Sequence, residues 1–259
     1  MPSENQANST KKVAIVTGGG RGLGRNTVVN LAKRGVDVIL TYVSNKAEAE
    51  SAVAEIEAAG ARAVALQLDT GNTGSFDAFV VSVRRELEAF GRKDFDYLVN
   101  NAGTSYHASI TETTEEAFDG LVNVHLKGVF FLTQKLLPVI ADGGRIINVS
   151  SGLARFSVPG SSAYAVMKGA IEVFTRYLAK ELGARGITAN TVAPGAVMTD
   201  FSGGIVRDNP VVNKMVSDMT ALGRPGVADD IGPMIASLLS EDNRWVNGQR
   251  IEVSGGAAL

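Results

Sequence analysis

Thr17-Gly18-Gly19-Gly20-Arg21-Gly22-Leu23-Gly24 follows directly on the apolar run Val13–Val16 and opens at once into helical sequence. This strand–turn–helix junction decides the reading of the fold. Its Gly-x3-Gly-x-Gly spacing lets the backbone turn sharply and approach an anion closely, while the helix beyond it aims free N–H groups and the positive end of its dipole at the same place. A ligand phosphate is the natural occupant. Gly24-Arg25-Asn26 stands where a nucleoside-triphosphate loop carries Gly-Lys-Ser/Thr, so phosphoryl transfer is disfavoured and a dinucleotide favoured. The plainer alternative is a bare turn in a chain of 29 glycines.

Outward from this turn, short β-branched runs alternate with longer stretches of helical periodicity, the pattern of βαβ units on a parallel sheet. Strands are expected at Lys12–Thr17, Asp37–Thr41, Arg62–Leu68, Tyr97–Asn100, Arg145–Val149, Ile187–Val192 and Arg250–Val253. Helices are expected at Leu23–Arg34, Lys46–Ala59, Gly74–Ala89, Thr114–Ile140, Ser162–Leu182 and Ala228–Leu239. Asn45 with Glu48 has the spacing of a capping box at the second of these. The fold class is α/β: a single Rossmann-like doubly wound domain over residues 12–259, with a seven-stranded parallel sheet flanked by helices and a flexible tail over 1–11. Residues 196–226, with Gly203, Gly204, Asp208, Asn209 and Pro210 close together, read as an irregular substrate loop.

Composition narrows the function. The chain has 259 residues, 45% of them hydrophobic, and a net charge of −2, so no global positive field draws nucleic acid or anionic lipid. Zero cysteines exclude disulfides, thiolate metal sites and cysteine nucleophiles, and two histidines exclude a multi-histidine metal centre. Val122–Ile140 is interrupted by Asn123, His125, Lys127, Gln134 and Lys135 and reads as a buried helix, not a membrane span. The polar start, Met1–Thr10, lacks a signal-like apolar region, and a cytoplasmic location is expected. Neither nucleic acid nor membrane is an expected partner; a small molecule is.

The identity of the dinucleotide turns on the end of the second strand, where an acid would bind the ribose 2′-hydroxyl and repel a 2′-phosphate. Leu40-Thr41-Tyr42-Val43-Ser44-Asn45-Lys46 holds no acid. Arg21, Ser44, Asn45 and Lys46 can bind a phosphate instead, and NADP(H) is preferred over NAD(H).

Tyr164 and Lys168 stand four residues apart on the helix expected over Ser162–Leu182 and share a face. An ammonium near a phenol favours the phenolate, which brings its pKa toward the working range of a general acid or base. Ser151 lies 13 residues upstream, just past a strand. Tyr-x-x-x-Lys alone is weak, because Tyr42 and Lys46 match it too.

Taken together, Thr17–Gly24, Asp69, Asn100-Asn101-Ala102-Gly103, Asn123, Ser151, Tyr164 with Lys168, and Pro194-Gly195 with Thr199 resemble, in order and spacing, the short-chain dehydrogenase/reductase family in its single-domain branch. The resemblance covers nearly the whole chain. It implies that Gly18, Gly22, Leu23 and Gly24, with Arg21 among them, form the cofactor's glycine loop, that Asp69 contacts the adenine, and that Asn101, Ala102 and Gly103 close over the adenosine ribose. It further implies that Pro194, Gly195, Val197 and Thr199 frame the nicotinamide, and that Asn123 holds a water linking Lys168 to solvent. The implied catalytic residues are Asn123, Ser151, Tyr164 and Lys168.

The implied chemistry is hydride transfer between a nicotinamide and a carbonyl carbon, with Ser151 bonding the oxygen, Tyr164 delivering the proton and Lys168 holding the nicotinamide ribose. Alternatives within the family are a 3-oxoacyl thioester (acyl-carrier-protein) reductase, a sugar dehydrogenase or a quinone reductase; from another class, a non-catalytic dinucleotide sensor. Arg185 fits the basic entrance that carrier-protein docking uses, whereas Ala141-Asp142-Gly143 does not. No metal is implied: His107 and His125 read as structural or pocket-lining, with His107 the better placed to touch substrate. Phe156, Phe201, Val206 and Met215 suggest an apolar pocket. Two helices apolar nearly all round, together with the resemblance, point to a homotetramer.

Overall fold

Valine and isoleucine pack the interior strands so densely that both faces of the sheet demand cover, and the chain supplies it with a helix after almost every strand. The computed structural model describes residues 11–259; the tail expected over 1–11 lies, apart from Lys11, outside the described residues. The strands are β1 Val13–Val16, β2 Asp37–Tyr42, β3 Ala63–Gln67, β4 Phe95–Asn100, β5 Ile140–Val149, β6 Thr188–Pro194 and β7 Arg250–Val253. They form one sheet in the order β3-β2-β1-β4-β5-β6-β7, parallel throughout. The winding reverses between β1 and β4, which opens a crevice beyond their carboxyl ends.

The principal helices are α1 Gly22–Ala32, α2 Lys46–Ala58, α3 Phe76–Ala89, α4 Glu115–Val122, α5 Gly128–Leu136, α6 Ser162–Glu181, α7 Ile205–Asp208, α8 Pro210–Asp218 and α9 Ala228–Leu238. One face of the sheet is sealed by Val28, Leu31, Ile56 and Ile235 from α1, α2 and α9. The other is sealed by Phe76, Val83, Leu132, Leu136 and Leu178 from α3, α5 and α6. Beneath the crevice the core turns polar. Asn100 on β4 donates to Asn148 on β5 at 2.8 Å and to Thr133 at 3.0 Å, Asn148 donates to Thr175 on α6 at 2.9 Å, and Thr191 on β6 donates to Thr175 at 2.9 Å. These bonds stitch three strands and two helices together under the site.

Two expectations need correction. The helix expected over Thr114–Ile140 is two helices, α4 and α5, joined by one wide turn at Asn123–Lys127, and Ile140 already belongs to β5. Gly128 lies against the Thr70 carbonyl so closely that a Cβ there would collide with it, and Pro138 disfavours helix at the residue before it. The segment Ala196–Gly226 is irregular only in part, because α7 and α8 occupy its middle. Asn209 caps α8 by accepting from Val211 at 3.0 Å and Val212 at 3.2 Å, and Pro210 occupies the first helical position, where its missing N–H costs nothing. Its ends are pinned where Met198 N–H donates to the Gly226 carbonyl and Gly226 N–H to the Ala196 carbonyl, both at 2.9 Å. No helix among the described residues is long and apolar enough to cross a membrane.

Candidate active site

The glycine turn is held from both sides. Gly18 and Gly22 adopt the left-handed conformation, and a Cβ on Gly24 would collide with the Gly18 carbonyl and stand 2.6 Å from the Asn101 amide. Thr17 Oγ1 accepts from the Asn101 and Ala102 N–H groups at 2.9 and 3.0 Å, while the Asn101 amide donates to the carbonyls of Thr17 at 2.9 Å and Gly18 at 3.2 Å. Asn101 thus fastens the turn to the end of β4 with the very group that could have reached a ribose. Leu23 and Gly24 begin α1, and Arg21, just before it, is exposed with no ion pair among the described residues. Thr199 faces Gly22 across the crevice.

At the end of β2, Ser44, Asn45 and Lys46 are all exposed. The capping role of Asn45 is present, its Oδ1 accepting from the Glu48 N–H at 3.2 Å. Lys46 pairs with Glu50 at 3.2 Å, an exposed pair that stabilises little and yields easily to a phosphate. Asp69, beyond β3, accepts from the Gly71 N–H at 2.8 Å. Across the sheet Pro194 ends β6, Gly195 N–H donates to the Val253 carbonyl at 3.1 Å, and Val197 bridges to Gly226.

Ser151 follows β5 and caps a single turn of helix, its Oγ accepting from the Leu153 N–H at 3.2 Å. Tyr164 and Lys168, one turn apart on α6, are both buried. Burial pushes the Tyr164 phenol well up, and a hydrogen bond with Ser151 offsets only part of it. Burial brings Lys168 down to about 8. The expected depression of the tyrosine by the lysine is therefore corrected: the ammonium donates to the Val149 carbonyl at 2.8 Å, 5.4 Å from the ring centre, and loss of water dominates both groups. Phe201 brings the substrate segment to within 6.2 Å of the Tyr164 ring.

From the helix pair α4–α5, the side chain against Tyr164 is His125. Its ring meets the tyrosine edge-on at 5.3 Å and 86°, and Nε2 lies 2.8 Å from the Thr104 carbonyl. Leu121, four residues earlier, joins the same cluster around Tyr164. Asn123 opens the wide turn two residues from each and is half-buried. The spacing of Leu121 and His125 on a helix facing α6 was the available signal. His107 instead lies against Gly160, where a Cβ would meet its ring. Arg185 donates to Asp142 at 2.7 Å and to the carbonyls of Leu137 and Ile140, which commits it to the start of β5 rather than to a docking face.

The chain belongs to the short-chain dehydrogenase/reductase family: residues 18–258 match the family model described as Enoyl-(Acyl carrier protein) reductase. It is 34% identical over 268 residues to the tetrahydroxynaphthalene reductase PfmaG of Pestalotiopsis fici, a match spanning 99% of this chain and 95% of that one. Among solved structures it is similar to LugOII, described as a promiscuous reductase catalysing keto-reduction at C1 during lugdunomycin biosynthesis, with a TM-score of 0.91, 39% identity and coverage of 96% and 99%. It is also similar to landomycin C-6 ketoreductase LanV with bound NADP and rabelomycin, at a TM-score of 0.87 and 37% identity, covering 96% of this chain and 97% of that one.

Proposed function

We propose that this chain is an NADPH-dependent ketoreductase acting on ring ketones of flat, fused aromatic molecules. The observation that carries the reading is the Phe201 ring, whose centre stands 6.2 Å from that of Tyr164 and brings an aromatic wall to the proton donor. A flat aromatic ketone packed against Phe201 brings its oxygen toward the Tyr164 and Ser151 hydroxyls. The substrates named for the tetrahydroxynaphthalene and landomycin enzymes are of this shape.

The crevice fits the cofactor. The glycine turn leaves no room for a side chain at Gly24, the start of α1 offers N–H groups to a pyrophosphate, and Arg21 is exposed beside them for a 2′-phosphate. NADPH held there supplies a hydride to the carbonyl carbon. Ser151 donates to the carbonyl oxygen as negative charge gathers on it, and Tyr164, kept protonated by burial, delivers the proton. Lys168 holds positive charge beneath the tyrosinate that remains. Asn101 and Thr17 keep the turn in shape; Ser44, Asn45, Lys46, Asp69, Ala102, Gly103, Pro194, Gly195, Val197 and Thr199 complete the cofactor's walls. Ala196–Gly226 forms the substrate side of the single domain.

The proposal extends to a cytoplasmic homotetramer. Phe130, Phe131, Val166, Val173 and Tyr177 on α5 and α6 are exposed, and Trp245 is 95% exposed, side chains of the kind that a subunit interface covers. NADPH consumption with 1-tetralone-type and fused-ring quinone ketones, alongside aliphatic 3-oxoacyl thioesters and sugars, tests the reading. Turnover of the fused-ring ketones is expected; turnover confined to thioesters or sugars overturns the substrate class. Sizing of the purified protein tests the assembly, with elution as a monomer the contrary result.

A further inference from the structure

His125 is 1% exposed and sits in the wide turn between α4 and α5, where the Gly128 N–H reaches back to the Asn123 carbonyl. Such turns are rare and concentrate at functional sites. The ring touches two parts of the site at once. Nε2 lies 2.8 Å from the Thr104 carbonyl on the loop leaving β4, and the ring edge rests on Tyr164 at 5.3 Å. The loop crosses so close above it that a Cβ on Gly103 would stand 2.7 Å from the His125 Cε1.

Space-filling does not account for the residue. Nδ1 is buried with no partner, and an unsatisfied buried polar atom costs about 1–3 kcal/mol. Phenylalanine would give Tyr164 the same aromatic edge without that cost. What histidine adds is the bond to Thr104. Nε2 stands 2.8 Å from the Thr104 carbonyl and 3.2 Å from the Thr104 N–H, so either neutral tautomer bonds the backbone of Thr104. Burial, with the Lys168 charge nearby, holds the ring neutral.

Resting on the ketoreductase reading, we propose that His125 is a positioning residue of the reduction site, tying the loop at Thr104 to the Tyr164 ring. Through it, the loop that walls the cofactor crevice and the proton donor keep a fixed spacing. The effect falls on the chemical step rather than on ketone binding.

The test compares His125→Phe with His125→Gln, whose amide nitrogen falls about where Nε2 lies. His125→Phe is expected to keep its thermal midpoint, lower kcat at least tenfold and leave the ketone KM within threefold; His125→Gln is expected to recover at least a third of the wild-type kcat. Wild-type kcat in His125→Phe, or a glutamine variant no better than phenylalanine, overturns the proposal. Histidine NMR of the wild-type protein, which has two histidines, reads the same bond without turnover. A single neutral tautomer from pH 5 to 8 supports it, and a His125 titrating near the usual 6.5 overturns it. Wild-type protein that reduces no ketone rejects the function reading instead, and the NMR result then decides His125 alone.

Discussion

The Lys168 ammonium is anchored 2.8 Å from the Val149 carbonyl and stands 5.4 Å from the centre of the Tyr164 ring, so the strand end, not the tyrosine, sets where the charge lies. β5 carries Ser151 two residues beyond that same carbonyl. One strand therefore registers the proton donor's support and the oxygen's hydrogen-bond donor against each other.

Burial holds Lys168 near 8 while raising Tyr164, so the two groups separate on the pH scale. Ketone reduction at saturating NADPH is expected to be flat below about pH 7 and to fall through a midpoint near 8 as Lys168 loses its proton. Lys168→Met removes that limb at a cost of roughly 10²–10⁴ in kcat. The unfolded chain holds the lysine proton up to 10.5, so this residue's contribution to stability rises with pH between about 8 and 10.5.

Tyr164→Phe removes the proton donor and nothing that a phosphate or adenine touches. NADPH binding, followed by fluorescence titration, is expected to stay within about threefold, while kcat falls by roughly 10²–10⁴. Retained turnover means another group supplies the proton.

Arg21, exposed at the start of α1, has no ion pair among the described residues. Arg21→Ala is expected to weaken NADPH roughly tenfold or more, the worth of a charge-assisted hydrogen bond, and to leave NADH unchanged. Equal loss for both cofactors contradicts a 2′-phosphate contact.

Gly24→Ala drives a methyl into the Gly18 carbonyl and the Asn101 amide. Loss of about 1–3 kcal/mol in denaturant unfolding is expected, with weaker binding of both cofactors, because the turn itself must shift.

His125 is buried and neutral, its pKa lowered to about 3 by loss of water and by Lys168. The unfolded chain takes up this proton near 6.5, so stability is lost as pH falls from about 6.5 toward 3, by on the order of 4 kcal/mol. Acid unfolding of His125→Phe is expected to lack that component, and an identical acid profile refutes it.

The junction from β1 through Gly24 to α1 was legible because three glycines and a continuous apolar run admit few other structures, and all seven strands fall within a few residues of their expected places. Asn45 capped α2 as its spacing required. The break between α4 and α5 was not legible, since it depends on Gly128 meeting the Thr70 carbonyl, a contact between positions far apart in sequence. The placing of His125 against Tyr164 was not legible for the same reason: a turn widened by one residue changes which side chain faces α6. The helices within Ala196–Gly226 hid behind glycines and a proline that are equally at home in a loop, although Asn209-Pro210 is a sound helix start. The tyrosine pKa was misjudged because pairing is visible in sequence and burial is not.

The hydrogen bonds running from Asn100 through Asn148 and Thr175 to Thr191 make a stiff floor, while the roof over it, Ala196–Gly226, joins the body at its ends and beside Gly255–Ala258. Substitutions in that roof can exchange one ketone for another without disturbing Ser151, Tyr164 or Lys168. Such a division lets a lineage drift among substrates at constant chemistry, with promiscuity as the intermediate state rather than a defect.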